Sequence, residues 1–155
     1  MGRLKELRKI TDAKLMTVAD EEKRISAASH LYGVSLAAAL LAKKRGLNDE
    51  LACMAAMLHD MHAYLSGSYE DHAHKGADLA RKILQEAQLT NEEETETICS
   101  MIYHHDDKHI IDSEMDELLK DADVIHHCFN DPSKAVKEKE ILRYNALCEE
   151  LGLNR

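Results

Sequence analysis

The sequence predicts an all-α protein that forms one domain over residues 1–155. Helix-favouring Ala, Leu, Glu and Lys are abundant, whereas the chain has one Pro, one Phe and no Trp. Apolar residues recur at steps of three and four, which is the period of an amphipathic helix. A chain of 155 residues is also long enough to bury a core of its own.

The N-terminal segments are predicted to form two helices. A short leading helix covers residues near 3–16. Asp20, followed by two Glu residues, is typical of an N-cap with an acidic first turn. The second helix then ends in a basic turn before Gly46. Its apolar face contains His30, Val34, Ala38 and Leu41.

The third helix is predicted to be the central one. Asn48 or Asp49 caps it, and residues 51–58 are apolar nearly all round, as in a helix that is buried on every side. Its last turn presents His59–Asp60. Residues 64–69 contain Gly between two Ser residues and are predicted to form a loop.

The sequence pattern predicts four further helices in the remaining chain. The first covers about 71–87, and the second starts at Thr90–Asn91 and runs to His105. The third begins at Ser113 and is broken by Pro132. A charged C-terminal helix is expected over about 133–151.

Histidines and aspartates scattered along the chain are candidate metal ligands. Divalent metals of intermediate hardness bind imidazole nitrogen and carboxylate oxygen. Water bound to such an ion loses a proton near neutral pH and becomes a nucleophile, so these residue types indicate metal-assisted hydrolysis. The candidates, in chain order, are His30, His59, Asp60, His72, His74, His104, His105 and Asp123.

The order of these residues resembles the HD-domain metal-dependent phosphohydrolase superfamily. That pattern has a lone His, a His-Asp pair after an apolar helix, and a distant Asp within Ala-Asp, which here match His30, His59–Asp60 and Asp123. The resemblance covers about residues 20–130, the motif-bearing core. It implies a helical bundle that holds one or two divalent ions between its helices, with Fe, Mn, Co, Ni, Zn or Mg as the metal.

Two further histidines are implied by the optional part of that pattern. One precedes a Gly-Ala helix start, where His72 fits better than His74 and spacing alone does not decide. The other follows an Ile-x-x-His helix. His105 continues the apolar stripe of that helix, and His104 is the register alternative, which would enlarge the site if it also binds.

Two aspartates compete for the position of the distant Asp in the pattern, Asp123 and Asp121. Asp123 follows Ala122 and shares the inward face with Leu119 and Ile125, which favours it over Asp121. Asp121 is expected to orient a ligand histidine, a role that metal sites commonly require.

Two residues are predicted to act in catalysis. Asp60 is expected to bridge two ions, because a carboxylate has two oxygens. Lys108, in a polar turn after His105, is expected to steady phosphate oxygens; weaker candidates are Lys75 and Arg24. The general acid is left open among water, His109 and Asp107. The histidines predicted to lie on the surface or in loops are His62, His109, His126 and His127.

The function predicted from these features is hydrolysis of a phosphate ester or anhydride by a metal-held hydroxide. A small phosphorylated substrate, with nucleotides as the leading class, is the expected partner, and homodimer formation is left open. Two alternatives remain: a di-iron oxygenase of the same superfamily, and an inactive sensor or interaction module.

Composition argues against other classes. The net charge of −9 disfavours binding to a nucleic acid polymer. No membrane span or signal peptide is predicted, and the chain is expected to be cytoplasmic. Four cysteines without a C-x-x-C pair are expected to be reduced core thiols. The sequence contains no glycine-rich phosphate-binding motif.

Overall fold

The computed structural model describes residues 2–154, and all regular structure in that range is helical. This confirms the all-α prediction. The helices are α1 (Arg3–Leu15), α2 (Glu21–Arg45), α3 (Asp49–Leu58), α4 (Met61–Ser66), α5 (His72–Glu86), α6 (Glu92–His104), α7 (Glu114–Phe129) and α8 (Ile141–Leu151), with a 3₁₀ helix at Glu138–Glu140 before α8.

Local capping explains where these helices begin and end. The side chains of Asp20 and Asn48 each accept the backbone N–H three residues on. Ser113 forms a reciprocal capping box with Asp116 at the start of α7. Gly46 ends α2 with a φ of 68°, a left-handed conformation that costs glycine little. The predicted start signals of these helices are therefore confirmed.

Helix α3 is the centre of the bundle. Residues 51–58 are all buried, as their apolar composition predicts. The helix packs against α1, α2, α6 and α7, while α5 packs on α6 and α4 on α5. Its C-terminal end therefore points into the space between the surrounding helices, and that end bears His59 and Asp60.

Two segments differ from the prediction. Tyr64 to Ser66 belong to α4 rather than to a loop, because the helix continues until Gly67 adopts a left-handed φ of 71°. The C-terminal α-helix begins at Ile141 instead of near residue 133. Asp131 Oδ1 accepts both the backbone N–H and the hydroxyl of Ser133, and such local hydrogen bonds compete with helix formation.

Helix α2 is, among the described residues, the one helix long and apolar enough to cross a membrane by length and composition. Half of its most apolar window is buried within the bundle. Core helices of bundles pass the same test, and α2 packs against α3 and α7. This is weak evidence for a span.

The four cysteines are free thiols. Cys53, Cys99 and Cys148 are buried and Cys128 is half-buried. Burial raises the pKa of the Cys128 thiol to about 11, which keeps it protonated and unreactive at neutral pH. The prediction of reduced core thiols is consistent with this arrangement.

Candidate metal centre

Five helices bring the predicted ligands to one place. His30 comes from the middle of α2, His59 and Asp60 from the α3–α4 junction, His72 from the first turn of α5, His105 from the end of α6, and Asp123 from α7. Each of the six is buried, with 8% or less of its surface exposed. Buried ionisable groups are costly unless they are compensated, so this clustering needs an explanation.

A first donor set surrounds His30. Its Nε2 lies 3.1 Å from His59 Nε2, 3.4 Å from Asp60 Oδ2 and 3.3 Å from Asp123 Oδ1. His59 Nε2 lies 3.5 Å from Asp60 Oδ2 and 3.6 Å from Asp123 Oδ1. Two imidazole nitrogens and two carboxylate oxygens are thus linked by separations of 3.1–3.6 Å.

A second donor set uses the other oxygen of Asp60. Asp60 Oδ1 lies 3.4 Å from His72 Nε2 and 3.3 Å from His105 Nε2. The two histidine nitrogens are 3.2 Å apart. Asp60 is therefore placed between the two sets, with one oxygen directed to each.

The nitrogen–oxygen separations, 3.3–3.6 Å, fit divalent ions better than hydrogen bonds. Donors bound tetrahedrally at about 2.1 Å from an ion lie about 3.4 Å from each other, whereas N–H···O bonds are usually about 2.7–3.2 Å long. In addition, Asp60 Oδ1 and Asp123 Oδ1 are buried without a hydrogen-bond partner. Such an unpaired buried oxygen is unfavourable unless a cation meets it.

Backbone carbonyls fix the tautomers of three histidines. His59 Nδ1 lies 2.7 Å from Ala56 O, His105 Nδ1 2.7 Å from Ile102 O, and His72 Nδ1 2.9 Å from Tyr69 O. A carbonyl only accepts, so each Nδ1 carries the proton. Each Nε2 then presents its lone pair to the donor set, which is the form that binds a metal.

His30 is oriented by another histidine instead. Its Nδ1 lies 2.9 Å from His126 Nδ1. Burial lowers the pKa of His126 to about 4, so that ring is neutral and can accept the His30 proton. Gly33 makes room for it, because a Cβ at Gly33 would overlap the Cδ2 and Nε2 atoms of His126.

Gly76 explains how α5 comes close enough to place His72. A Cβ at Gly76 would lie 3.1 Å from the carbonyl oxygen of His59, tighter than most contacts of that kind. The missing side chain therefore allows α5 to pack directly against the α3–α4 junction. His72, one turn earlier on α5, reaches Asp60 as a result.

The electrostatics of the cluster favour a cation. Burial alone would raise the pKa of Asp60 and Asp123, but neighbouring His59 and Lys108 hold both pKa values well below their usual range. Burial lowers the pKa of His30, yet Asp123 and Asp60 outweigh it and raise that pKa to about 9. The two carboxylates thus draw positive charge into the site.

Lys108 has a different position from the one expected of a phosphate contact. Its Nζ lies 2.7 Å from Asp123 Oδ2 and 2.6 Å from His105 O, and only 1% of its side chain is exposed. Asp121 also faces elsewhere, because its oxygens pair with Arg45 and Arg143. Backbone carbonyls and His126 therefore orient the ligand histidines, and Asp121 does not contact them.

The alternative candidates lie outside the donor sets. His74 stacks on Tyr103 and pairs with Asp71, and His104 lies 3.6 Å from Asp112. Arg24 donates to Val18 O and Lys75 to Glu70 O. Asp107 and His109 are not among the described residues that line the cavity above the cluster.

His126 and His127 were both expected on the surface or in loops, but His126 contacts His30 and His127 lies at the site. The Nε2 of His127 is 3.4 Å from Asp123 Oδ1, and its ring stacks on His30 with centroids 5.3 Å apart. The signal that could have identified it is its spacing, since residues four apart share a helix face and Asp123 already pointed inward.

The donor sets form the floor of a cavity of about 660 Å³. Aromatic and apolar side chains on its wall include Tyr64, Tyr69 and Ile25. Lysines near the α7–α8 connection line the rim: Lys134, Lys137 and Lys139. Two of them pair with carboxylates of the same rim, Lys134 with Asp131 and Lys139 with Asp106. This volume lies within the range of sites for small molecules, which is about 300–1,000 Å³.

Comparison with known proteins agrees with this geometry. The family model described as the HD domain matches residues 27–128. The fold resembles a crystal structure of a predicted HD superfamily hydrolase from an uncultured Thermotogales bacterium, with a TM-score of 0.63 and 23% identity over 97% of this chain and 90% of the other. Comparison with curated proteins finds no match. Since the matched family segment spans more than half of the chain and contains the His-Asp ligand pattern, the chain belongs to the HD domain family of metal-dependent phosphohydrolases.

Proposed function

We propose that the protein hydrolyses a phosphate ester or anhydride of a small molecule, with a nucleotide as the leading substrate class. The observation that carries the proposal is the position of Asp60, whose two oxygens face two separate donor sets 3.3–3.5 Å away. When bound, a pair of divalent ions acidifies a water molecule and neutralises phosphoryl oxygens.

The chain's own residues would bind and orient the substrate. Lys137, which forms no ion pair among the described residues, offers a cation at the rim to an anion, in a protein whose net charge is −9. Ile25 and Tyr69 are 61% and 59% exposed and line the cavity, so they offer apolar surface for a nucleoside. A nucleotide needs both features, whereas inorganic phosphate needs only the first.

Lys108 would act through Asp123 rather than on the substrate. Its ammonium neutralises part of the charge on that carboxylate and fixes the rotamer that directs Oδ1 to His30 and His59. This makes Lys108 a positioning residue. The proton for the leaving group would come from water.

A screen for phosphate release tests the proposal. The purified protein, after chelation, would be loaded with Mn, Co, Fe(II), Ni, Zn or Mg and offered nucleoside mono-, di- and triphosphates. We expect turnover of a subset of nucleotides that chelation abolishes and that His59→Ala removes. Absence of phosphate release with every metal, from protein that contains stoichiometric metal, would contradict it.

The di-iron oxygenase is the second candidate, because a bridging carboxylate flanked by histidines also suits two irons. Oxygen consumption that depends on Fe(II), without phosphate release, would favour it. An inactive module is less well supported, since both donor sets are complete. Homodimer formation stays a prediction, which light scattering on the purified protein would check.

A further inference from the structure

His127 belongs to the geometry of the first donor set. It lies one turn after Asp123 on α7, and its Nε2 is 3.4 Å from Asp123 Oδ1. Donor atoms of His30, Asp123 and His127 all lie within 4.8 Å of one another. The same 3.4 Å separation occurs between His30 and Asp60, two residues of the first set.

A buried carboxylate decides which nitrogen of His127 carries the proton. Glu140 Oε1 lies 2.7 Å from His127 Nδ1, and Glu140 is only 1% exposed. Burial would raise the pKa of Glu140, but the His127 hydrogen bond outweighs it and the pKa is lowered. The carboxylate therefore accepts the Nδ1 proton, and in this tautomer His127 directs its Nε2 lone pair to Asp123.

In this tautomer, two acceptor atoms face each other. Asp123 Oδ1 is buried and has no hydrogen-bond partner, and 3.4 Å is longer than an ordinary N–H···O bond. A cation between the two atoms removes this conflict. A carboxylate behind a ligand histidine also makes the ring a stronger base and a better ligand.

We propose that His127 is a fifth protein ligand of the ion held by the first donor set, and that Glu140 holds it in the ligating tautomer. Glu140 lies beyond residues 27–128 that match the family model, so the segment before α8 contributes to the centre. The inference rests on the proposed metal centre. It makes the two ions unequal, because the second set has only Asp60, His72 and His105.

The difference in the number of protein donors indicates which side of the site would bind the substrate. An ion with five protein donors has little room for a phosphoryl oxygen, whereas an ion with three has open positions. The phosphate would therefore bind on the side of His72 and His105.

Cobalt-loaded protein provides the test. In the NMR spectrum, each ligated histidine gives a hyperfine-shifted, exchangeable Nδ1–H signal. We expect one such signal for each of His30, His59, His72, His105 and His127. His127→Gln should lose one signal and bind Co(II) at the first set at least about tenfold more weakly. The control is His74→Gln, which removes an exposed histidine and should change neither result.

The outcomes separate this inference from the proposed function. If wild-type protein binds two Co(II) ions but shows no signal from His127, and His127→Gln binds Co(II) normally, His127 is not a ligand. If His127→Gln instead binds Co(II) normally but, once loaded with Co(II), binds inorganic phosphate more weakly, His127 contacts the substrate as a cation. The inference is then wrong. If the wild type binds no metal, the proposed function itself fails. Glu140→Gln, which keeps an acceptor oxygen, should retain the signal and lose less affinity than His127→Gln.

Discussion

Lys108 Nζ lies 2.7 Å from Asp123 Oδ2, with both side chains almost fully buried. The sequence placed this lysine on the substrate, because a cation after a ligand histidine suits phosphate. The structure instead gives it a partner within the protein. A buried ion pair of this kind destabilises a protein strongly when one member is removed.

Lys108→Met should therefore destabilise the metal-free protein by about 3 kcal/mol, since Asp123 would lose its nearest cation. The loss should be smaller with metal bound, because the ion also compensates Asp123. Urea unfolding with and without metal measures both values. The matched control is Lys43→Met, which removes an exposed pair with Asp49 and should leave the stability almost unchanged. If Lys108→Met leaves the stability unchanged and raises KM, Lys108 contacts the substrate and this prediction is wrong.

The second donor set predicts different effects for neighbouring histidines. His72→Ala and His105→Ala should each lower the number of bound ions from about two to one per chain, because each removes a donor facing Asp60 Oδ1. Phosphate release should fall by several orders of magnitude, since one of two charge clamps is lost. Elemental analysis gives the ion count.

The controls for that experiment are His74→Ala and His104→Ala. Both remove a histidine from the same stretch of sequence but outside the donor sets. We expect wild-type ion counts and near wild-type rates from them. Equal losses for His72→Ala and His74→Ala would show that α5 presents a different face to Asp60.

Gly33→Ala tests the support of His30. The added methyl would displace the His126 ring and break its 2.9 Å contact with His30 Nδ1, although Ala itself favours a helix by about 1 kcal/mol. We expect metal affinity at the first set to fall about tenfold. The double variant with His126→Ala should bind as weakly as His126→Ala alone, because the overlap no longer exists. Additive losses in this double-mutant cycle would contradict the mechanism.

Metal affinity should rise with pH. The raised pKa of His30, about 9, means that the metal-free site holds a proton there at pH 7, and a metal can bind only the neutral ring. Affinity should therefore increase up to about pH 9 and level off above it. Calorimetry in buffers of different ionisation enthalpy should show about one proton released per first-set ion at pH 7. Binding without proton release would contradict this prediction.

Much of the fold, and the residues that converge at the candidate site, could be predicted because the signals are local. Asp20, Asn48 and Ser113 cap helices whose periodicity is clear, and the His59–Asp60 pair follows an all-apolar run. The partners of Lys108 could not be predicted in this way. They depend on how α7 packs beside the turn after α6, which no spacing in the sequence encodes.

The contact between His127 and Glu140 is a second example. The two residues are separated by a turn whose path depends on Pro132 and the local bonds of Asp131. Helical spacing places His127 on the face of Asp123, but only the folded chain brings a buried carboxylate behind it. The spacing could have placed His127 at the site, although we predicted a surface position, but it does not reveal the contact with Glu140.

The most direct test of the account is the metal content of Asp60→Ala beside the wild type. Asp60 offers one oxygen to each donor set, so its loss should disrupt both at once. We predict about two ions per chain in the wild type, almost none in the variant, and no phosphate release, while the far-UV circular dichroism stays helical. An Asp60→Ala protein that retains both ions and hydrolyses substrate normally would contradict the central claim that Asp60 bridges a metal centre.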